Sequence, residues 1–533
     1  MAIGRLLDAG SGLPRTGYGV RHDRIQNLVS TVSVAVGLRC DPITFKETME
    51  STSHISSFIV LAHAIIIIGL SIRVIMMRRP AGVSLAWLIL IFALPFVGAV
   101  MYLIIGERHL GRQHAVRAAM LQGQYEQWLR GLPQDAVVDW SRLNQESEFI
   151  NRLVEATLGI PAMAGNKLQL IDTAETNLRS IIADIDRARH TCHMEFYIWN
   201  EGGTADEVCE ALIRAAQRGV ICRVLVDAMG SSKFLKTKLV RSLRENGVEV
   251  VAGLPVGPLR MIFVRFDLRL HRKIVVIDGE VAYTGSLNMA DPRFFKQEAG
   301  VGQWVDAMVR IEGPAVQALG VLFLWDWEIE TGQDIKTLEN TSDLKAVSHA
   351  GAVNVQVVPS GPGYKNDTIH QLLLTCIYAA RSELIITTPY FVPDESLLTA
   401  LLSAAQRGVD VTIILPEKID SLLVRYACRS YFDDLLAAGV RILRFQEGLL
   451  HTKSIVIDGK ISLFGSVNLD PRSFWLDFEV TLCLYDSDFG ARLKMLQQKY
   501  AEKSDPIDLQ VWQKRPGFER FIENLAQLFG PLL

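Results

Sequence analysis

His271-Arg-Lys273-Ile-Val-Val-Ile-Asp278-Gly-Glu-Val-Ala-Tyr-Thr-Gly285-Ser286-Leu-Asn288 returns 180 residues later as His451-Thr-Lys453-Ser-Ile-Val-Ile-Asp458-Gly-Lys-Ile-Ser-Leu-Phe-Gly465-Ser466-Val-Asn468. In both copies an apolar run ends in Asp-Gly, a hairpin-turn dipeptide, and a second short run leads to Gly-Ser-x-Asn. Residues two apart on a strand share a face, so His271 lies beside Lys273 and His451 beside Lys453. An imidazole that can attack or carry a proton thus stands next to an ammonium that can hold a phosphate oxygen. One His-x-Lys is a weak signal. Two copies with the same turn and the same Gly-Ser-x-Asn point to a duplicated catalytic unit.

The repeat extends outward. Cys192 to Trp199, Val220 to Val226, Leu384 to Thr388 and Val409 to Leu415 read as strands, with helices over Ala205–Arg218 and Ser396–Arg407 between them. Ala215-Ala-Gln-Arg-Gly-Val220 is identical to Ala404-Ala-Gln-Arg-Gly-Val409. The first half holds an insertion within residues 253–270, just before His271. There Arg265, Asp267 and Arg269 alternate onto the face of His271. Arg265 and Arg269 are candidates to hold an anionic headgroup, and Met261 to Phe263 to touch acyl chains; a half-buried strand with a charged face is the competing reading.

With 49% hydrophobic residues and a mean hydropathy of +0.21, the chain of 533 residues is apolar for a wholly soluble protein. The runs from Ile55 to Met77 and from Ala81 to Gly106 read as a transmembrane hairpin. Arg73, Arg78 and Arg79 at the connection face Arg39, Lys46, Arg108, Arg112 and Arg117 on the flanks, which puts the catalytic body in the cytoplasm. A net charge of −3 supplies no global basic field, so nucleic acid is not favoured as a partner although a local groove could still be basic, and phospholipid stays open. The seven cysteines are scattered and show no disulfide or zinc spacing.

The expected organisation is an N-terminal extension (1–54), the hairpin (55–106), a juxtamembrane connector (107–165) with a helix near 108–130, a first half (166–330), a linker (331–352) and a second half with a C-terminal tail (353–533). The extension reads as poorly ordered chain, as a transit peptide opposed by Asp8, Asp23 and Asp41, or as sequence upstream of a start at Met49. In the tail Phe518, Phe521, Leu525 and Leu528 have helical spacing. They are expected to pack across the catalytic body, with membrane contact as the lesser reading.

The doubled His-x-Lys-x4-Asp with Gly-Ser-x-Asn resembles the phospholipase D superfamily. Val358-Pro-Ser-Gly-Pro-Gly363, Pro389-Tyr-Phe-Val-Pro-Asp-Glu395, Asn468-Leu-Asp-Pro-Arg-Ser473 and Phe529-Gly-Pro-Leu-Leu533 are similar to bacterial-type cardiolipin synthases. The resemblance implies an α/β fold in which two similar halves share one active site, and a multi-pass protein of the bacterial inner membrane. It implies transfer of a phosphatidyl group between two phosphatidylglycerols with release of glycerol, without metal or cofactor. His271 would be the nucleophile and His451 the acid and base, roles that near-symmetry would also allow reversed. Lys273, Lys453, Asn288 and Asn468 would bind phosphoryl oxygens.

The residues add three details. Offsets past the motifs select Asp306 and Glu479 to orient the histidines. Asp278 and Asp458 belong to the catalytic motif but read as fixing the turns. The Asp-Pro-Arg after each asparagine is displaced by one residue between copies, so Arg293 and Arg472 should differ. A phospholipase D that uses water as acceptor would carry the same side chains. The oligomeric state is left open.

Overall fold

The computed structural model describes residues 42–77, 81–94, 96–106, 136, 138–143, 145–255, 265, 267–333, 347–364 and 367–530. The helix expected near 108–130, Met261 to Phe263, most of the 331–352 linker and the terminal Pro531-Leu-Leu533 lie outside the described residues, as do 1–41 of the N-terminal extension. The chain divides into two units, Met1–Tyr102 and Leu103–Leu533.

In the first unit a helix runs over Pro42–Met76, so it begins inside the stretch expected to be an extension. Its Ser57–Met76 portion is long and apolar enough to cross a membrane. Phe58, Ile65 and Ile72 point outward from it. The second apolar run is not one continuous helix. It forms a helix Ala81–Ala93, then Val97–Met101, and ends in a π-turn over Tyr102–Gly106. The first of these helices stops at Ala93 and the next starts at Val97, and the sequence between them carries a proline, a residue type that ends helices.

The second unit is α/β. The strands are β1 (Met163–Ile171), β2 (Thr191–Phe196), β3 (Ile221–Asp227), β4 (Glu249–Gly253), β5 (Arg269–Leu270), β6 (Lys273–Ile277), β7 (Val281–Gly285), β8 (Trp304–Val305) and β9 (Met308–Glu312). The second half adds β10 (Val353–Ser360), β11 (Glu383–Thr387), β12 (Asp410–Pro416), β13 (Arg441–Phe445), β14 (Leu449–Leu450), β15 (Ser454–Ile457), β16 (Ile461–Gly465), β17 (Asp477–Tyr485) and β18 (Ser504–Pro506). One sheet runs β18-β13-β12-β11-β15-β16-β17-β10-β1-β9-β7-β6-β2-β3-β4. Read outward from its centre the order repeats, because β10-β17-β16-β15-β11-β12-β13 mirrors β1-β9-β7-β6-β2-β3-β4. The antiparallel pair β1·β10 joins the halves, with Met163 opposite Val355.

The Asp-Gly turns work as the residue types require. Asp278 and Gly279 have φ of 52° and 66°, and Asp458 and Gly459 have 50° and 67°, the doubly left-handed turn that fits the strand twist. Past each turn the glycine of Gly-Ser-x-Asn lets a neighbouring strand approach: a Cβ would lie 2.5 Å from Ala307 O at Gly285 and 2.2 Å from Val480 O at Gly465.

The central core gathers Leu319, Phe323 and Trp327 of the helix Ala315–Thr331 against Ile274, Val309 and Val355. Each such side chain stabilises the fold by about 1.5–3 kcal/mol through burial. The tail differs from expectation. Phe518, Phe521, Leu525 and Leu528 are exposed rather than packed on the body.

Candidate active site

Two short exchanges between the halves set the position of the histidines. The two-residue β5, which leads into His271, pairs in parallel with the start of β17 in the other half: Arg269 opposes Asp477 and Leu270 opposes Phe478. The two-residue β14, which leads into His451, pairs in parallel with β8 of the first half: Leu449 opposes Trp304 and Leu450 opposes Val305. His271 N then donates to Phe478 O at 2.9 Å, and His451 N to Val305 O at 2.8 Å.

Each imidazole therefore meets a carboxylate from the opposite half. His271 Nδ1 lies 2.8 Å from Glu479 Oε1, and His451 Nδ1 lies 2.6 Å from Asp306 Oδ1. Lys273 Nζ donates to His271 O at 2.5 Å and Lys453 Nζ to His451 O at 2.7 Å. All six side chains are buried. Burial, then Lys273 and Lys453, hold His271 well below the ordinary imidazole range. Burial and Lys453 take His451 down to about 4, against the opposing pull of Asp306. Burial lowers Lys273 to about 8 and Lys453 well below its ordinary value. The carboxylates separate: burial pushes Asp306 up but His451 and Lys453 outweigh it, while burial, reinforced by Asp477, drives Glu479 well above the carboxylate range.

Among the other sequence candidates, Asn288 Oδ1 accepts from Ile198 N at 3.3 Å, which leaves the amide nitrogen as its donor. Asn468 Nδ2 donates to Ser473 Oγ at 3.1 Å. Asp278 and Asp458 stand apart from the imidazoles. Asp278 accepts from Arg189, His190 and Thr191 N at 2.7–2.9 Å, and Asp458 from Arg381, Ser382 and Glu383 N at 2.8–2.9 Å. Each ties a hairpin turn to the start of the adjacent strand.

The two arginines after the asparagines also differ. Arg293 forms a half-exposed pair with Asp291 at 2.6 Å. Arg472 braces Asp477 at 3.3 Å and reaches Asp267 O, close enough to His271 to help depress it. Arg265 is taken up by Asp267, and Arg269 donates to Leu268 O and to Met229 Sδ.

Side chains that pattern alone passes over complete the site. The Tyr197 ring lies 5.0 Å from that of His271, and Trp304 lies 4.5 Å from His451. Arg272, fully buried, donates to Glu479 O at 3.1 Å and is paired with Asp326 of the central helix. Its signal is a charge on the apolar face of a strand. Lys296 bridges to Asp420 of the other half at 3.1 Å, and Asp420 accepts from Tyr390 Oη at 2.7 Å. Among the described residues no group of three or more His, Cys, Asp or Glu is arranged to hold a metal ion.

The sequence matches the family model described as cardiolipin synthase, PLD-like domain, over residues 181–327 and 373–500. Cardiolipin synthase A of Cronobacter sakazakii is 46% identical over 479 residues, covering 90% of this chain and 99% of that protein. The chain belongs to the PLD-like cardiolipin synthase family. Cardiolipin synthase A of Salmonella arizonae matches to the same extent. The two matched stretches of the family model fall one on each half of the sheet, and residues 65–107 match a phospholipase D-nuclease N-terminal model. Phosphatidylserine synthase of Haemophilus influenzae Rd KW20 shares the fold, with a TM-score of 0.54 at 16% identity over 73% of this chain and 98% of that one.

Proposed function

We propose that the chain is a membrane phosphatidyltransferase that makes cardiolipin and glycerol from two phosphatidylglycerol molecules. The observation that carries this reading is the crossed pairing of His271 with Glu479 and His451 with Asp306, with Lys273 and Lys453 each donating to the carbonyl of its own histidine. It supports one site shared by both halves. Its Nδ1–H donated to Glu479, His271 attacks phosphorus through Nε2 as the bond to the headgroup glycerol oxygen breaks and His451 gives that oxygen a proton. A second phosphatidylglycerol then enters. His451 takes the proton of its free glycerol hydroxyl, the oxygen attacks phosphorus, and the bond to His271 breaks.

Lys273, Lys453, Asn288 and Asn468 hold the equatorial oxygens as charge develops. An anionic phosphodiester among the lysines offsets their effect on His451 and lifts its pKa toward the range an acid needs. Arg265 and Arg269 bind the headgroup only if they leave Asp267 and Leu268, so their part is the weaker. The apolar helices of the N-terminal unit form a membrane hairpin, the protein lies in the bacterial inner membrane with its body on the cytoplasmic side, and nucleic acid is no partner.

The test is product analysis of the purified chain in mixed micelles with phosphatidylglycerol as sole lipid, beside His271→Ala and His451→Ala. Diphosphatidyl product with glycerol, lost in both variants, is the expected result. Phosphatidic acid as the main product would make the protein a phospholipase D.

A further inference from the structure

The helix Gly517–Gln527 buries Glu523 and Ala526 and turns its large apolar residues Phe518, Phe521 and Leu525 outward. Glu523 is fully buried between Arg429, at 2.7 Å, and Arg515, at 2.9 Å, and Glu519 reaches Arg429 at 3.0 Å. Arg515 is anchored in turn on Asp433. This ionic clasp fixes which side of the helix meets the body. Phe518, Phe521, Leu525 and Leu528, at the spacing of one helix face, are left 73%, 62%, 45% and 75% exposed. Leu422, on the helix Leu422–Arg429 that packs against it, is 68% exposed.

An ordinary surface helix buries its apolar stripe, because each large side chain left in water forgoes the stabilisation of burial. Here the clasp spends buried ion pairs to hold the stripe out, an arrangement that suits an apolar exterior. The charges of the segment are complementary to anionic lipid: Lys514 and Arg520 are exposed, Glu523 is buried, and Glu519, its side chain 45% exposed, is paired with Arg429.

Two indirect links run from the neighbourhood of the stripe toward the site. Leu422 is two residues from Asp420, which links Tyr390 to Lys296. Gly530, past the helix end, lies against Val392, whose N–H donates to Leu469 O, next to Asn468. We propose that Phe518, Phe521, Leu525 and Leu528, with Leu422, seat on the surface of an anionic phospholipid bilayer and hold the mouth of the site against it. This rests on the reading above in that the substrate is a membrane lipid.

The experiment uses the full chain in nanodiscs containing phosphatidylglycerol, with an environment-sensitive fluorophore on Phe521→Cys and nitroxide groups on the lipid acyl chains. Expected is emission shifted to the blue and quenched at least twofold by the nitroxide lipid. A water-like emission would overturn the proposal. So would a blue-shifted emission that the nitroxide lipid leaves unquenched, which would mean that a second copy or another segment of this chain covers the stripe. The readout needs no turnover, so it stands or falls separately from the proposed reaction. In parallel, Phe518→Ser/Phe521→Ser/Leu528→Ser should raise the surface KM about tenfold with kcat and thermal midpoint unchanged. An unchanged KM, or a lowered midpoint with lowered kcat, would count against docking.

Discussion

Asp306 follows the first histidine motif in the chain yet serves the second: its Oδ1 lies 2.6 Å from His451 Nδ1. Glu479 stands in the reciprocal place on His271. The two carboxyls are matched in position and opposed in electrostatics, since Asp306 is held below the ordinary range and Glu479 well above it.

That opposition predicts unequal substitutions. Gln at 479 keeps an oxygen for His271 Nδ1–H and replaces a carboxyl that burial already disfavours as an anion, so Glu479→Gln should retain kcat within about tenfold. Asp306→Asn removes the charge that holds His451 up, and should cost about 100-fold or more as the proton donor weakens. Initial rates of glycerol release compare the two.

Asp278 and Asp458 should behave as structural residues despite their motif. Each carboxylate satisfies three backbone N–H groups. Asp278→Ala or Asp458→Ala should therefore lower stability by about 1–3 kcal/mol. The kcat per folded molecule should change less than threefold. Thermal unfolding paired with activity per folded protein tests this, and a loss of kcat at unchanged stability would return both residues to the chemistry.

Lys273 trades stability for function. Its folded pKa of about 8 lies below the ordinary value near 10.5, so the folded state resists the proton that the unfolded chain accepts. The penalty is complete below pH 8 and disappears as pH rises past the unfolded value. Lys273→Met should abolish turnover while raising the melting temperature at pH 7. The difference from the parent should shrink between about pH 8 and 10.5, as thermal melts across that range would show.

Arg472 and Arg293 should separate sharply. Arg472→Gln unbraces Asp477 and Asp267 beside His271 and should lower kcat/KM at least tenfold. Arg293→Gln loosens a half-exposed pair with Asp291, of a kind worth about 1 kcal/mol or less. It should leave kcat/KM within threefold. Steady-state rates on phosphatidylglycerol distinguish them.

Much of the α/β body was legible because a period of two and an Asp-Gly turn leave marks that survive in one sequence. Offsets past the motifs were enough to find Asp306 and Glu479. They could not say which histidine each would meet, since that depends on β5 and β14, which at two residues each are too short to carry a pattern. The apolar spacing of Phe518, Phe521, Leu525 and Leu528 defined a face without telling whether it looked in or out. That was decided by Glu519 and Glu523 finding Arg429 and Arg515, contacts distant in sequence. In the second apolar run composition spoke for one continuous helix, whereas two form, with a proline in the sequence between them.

The exchange of β5 and β14 between the halves has a consequence during synthesis. His271 leaves the ribosome 208 residues before Glu479, the group that orients it. A nascent first half thus has a histidine and a lysine but no partner to set the imidazole, and no second histidine to protonate a leaving group. On the proposed mechanism, phosphodiester chemistry becomes possible only when the last long strand of the sheet is in place. If the chain is made at the membrane as proposed, that membrane would not meet a half-assembled lipid-cleaving site.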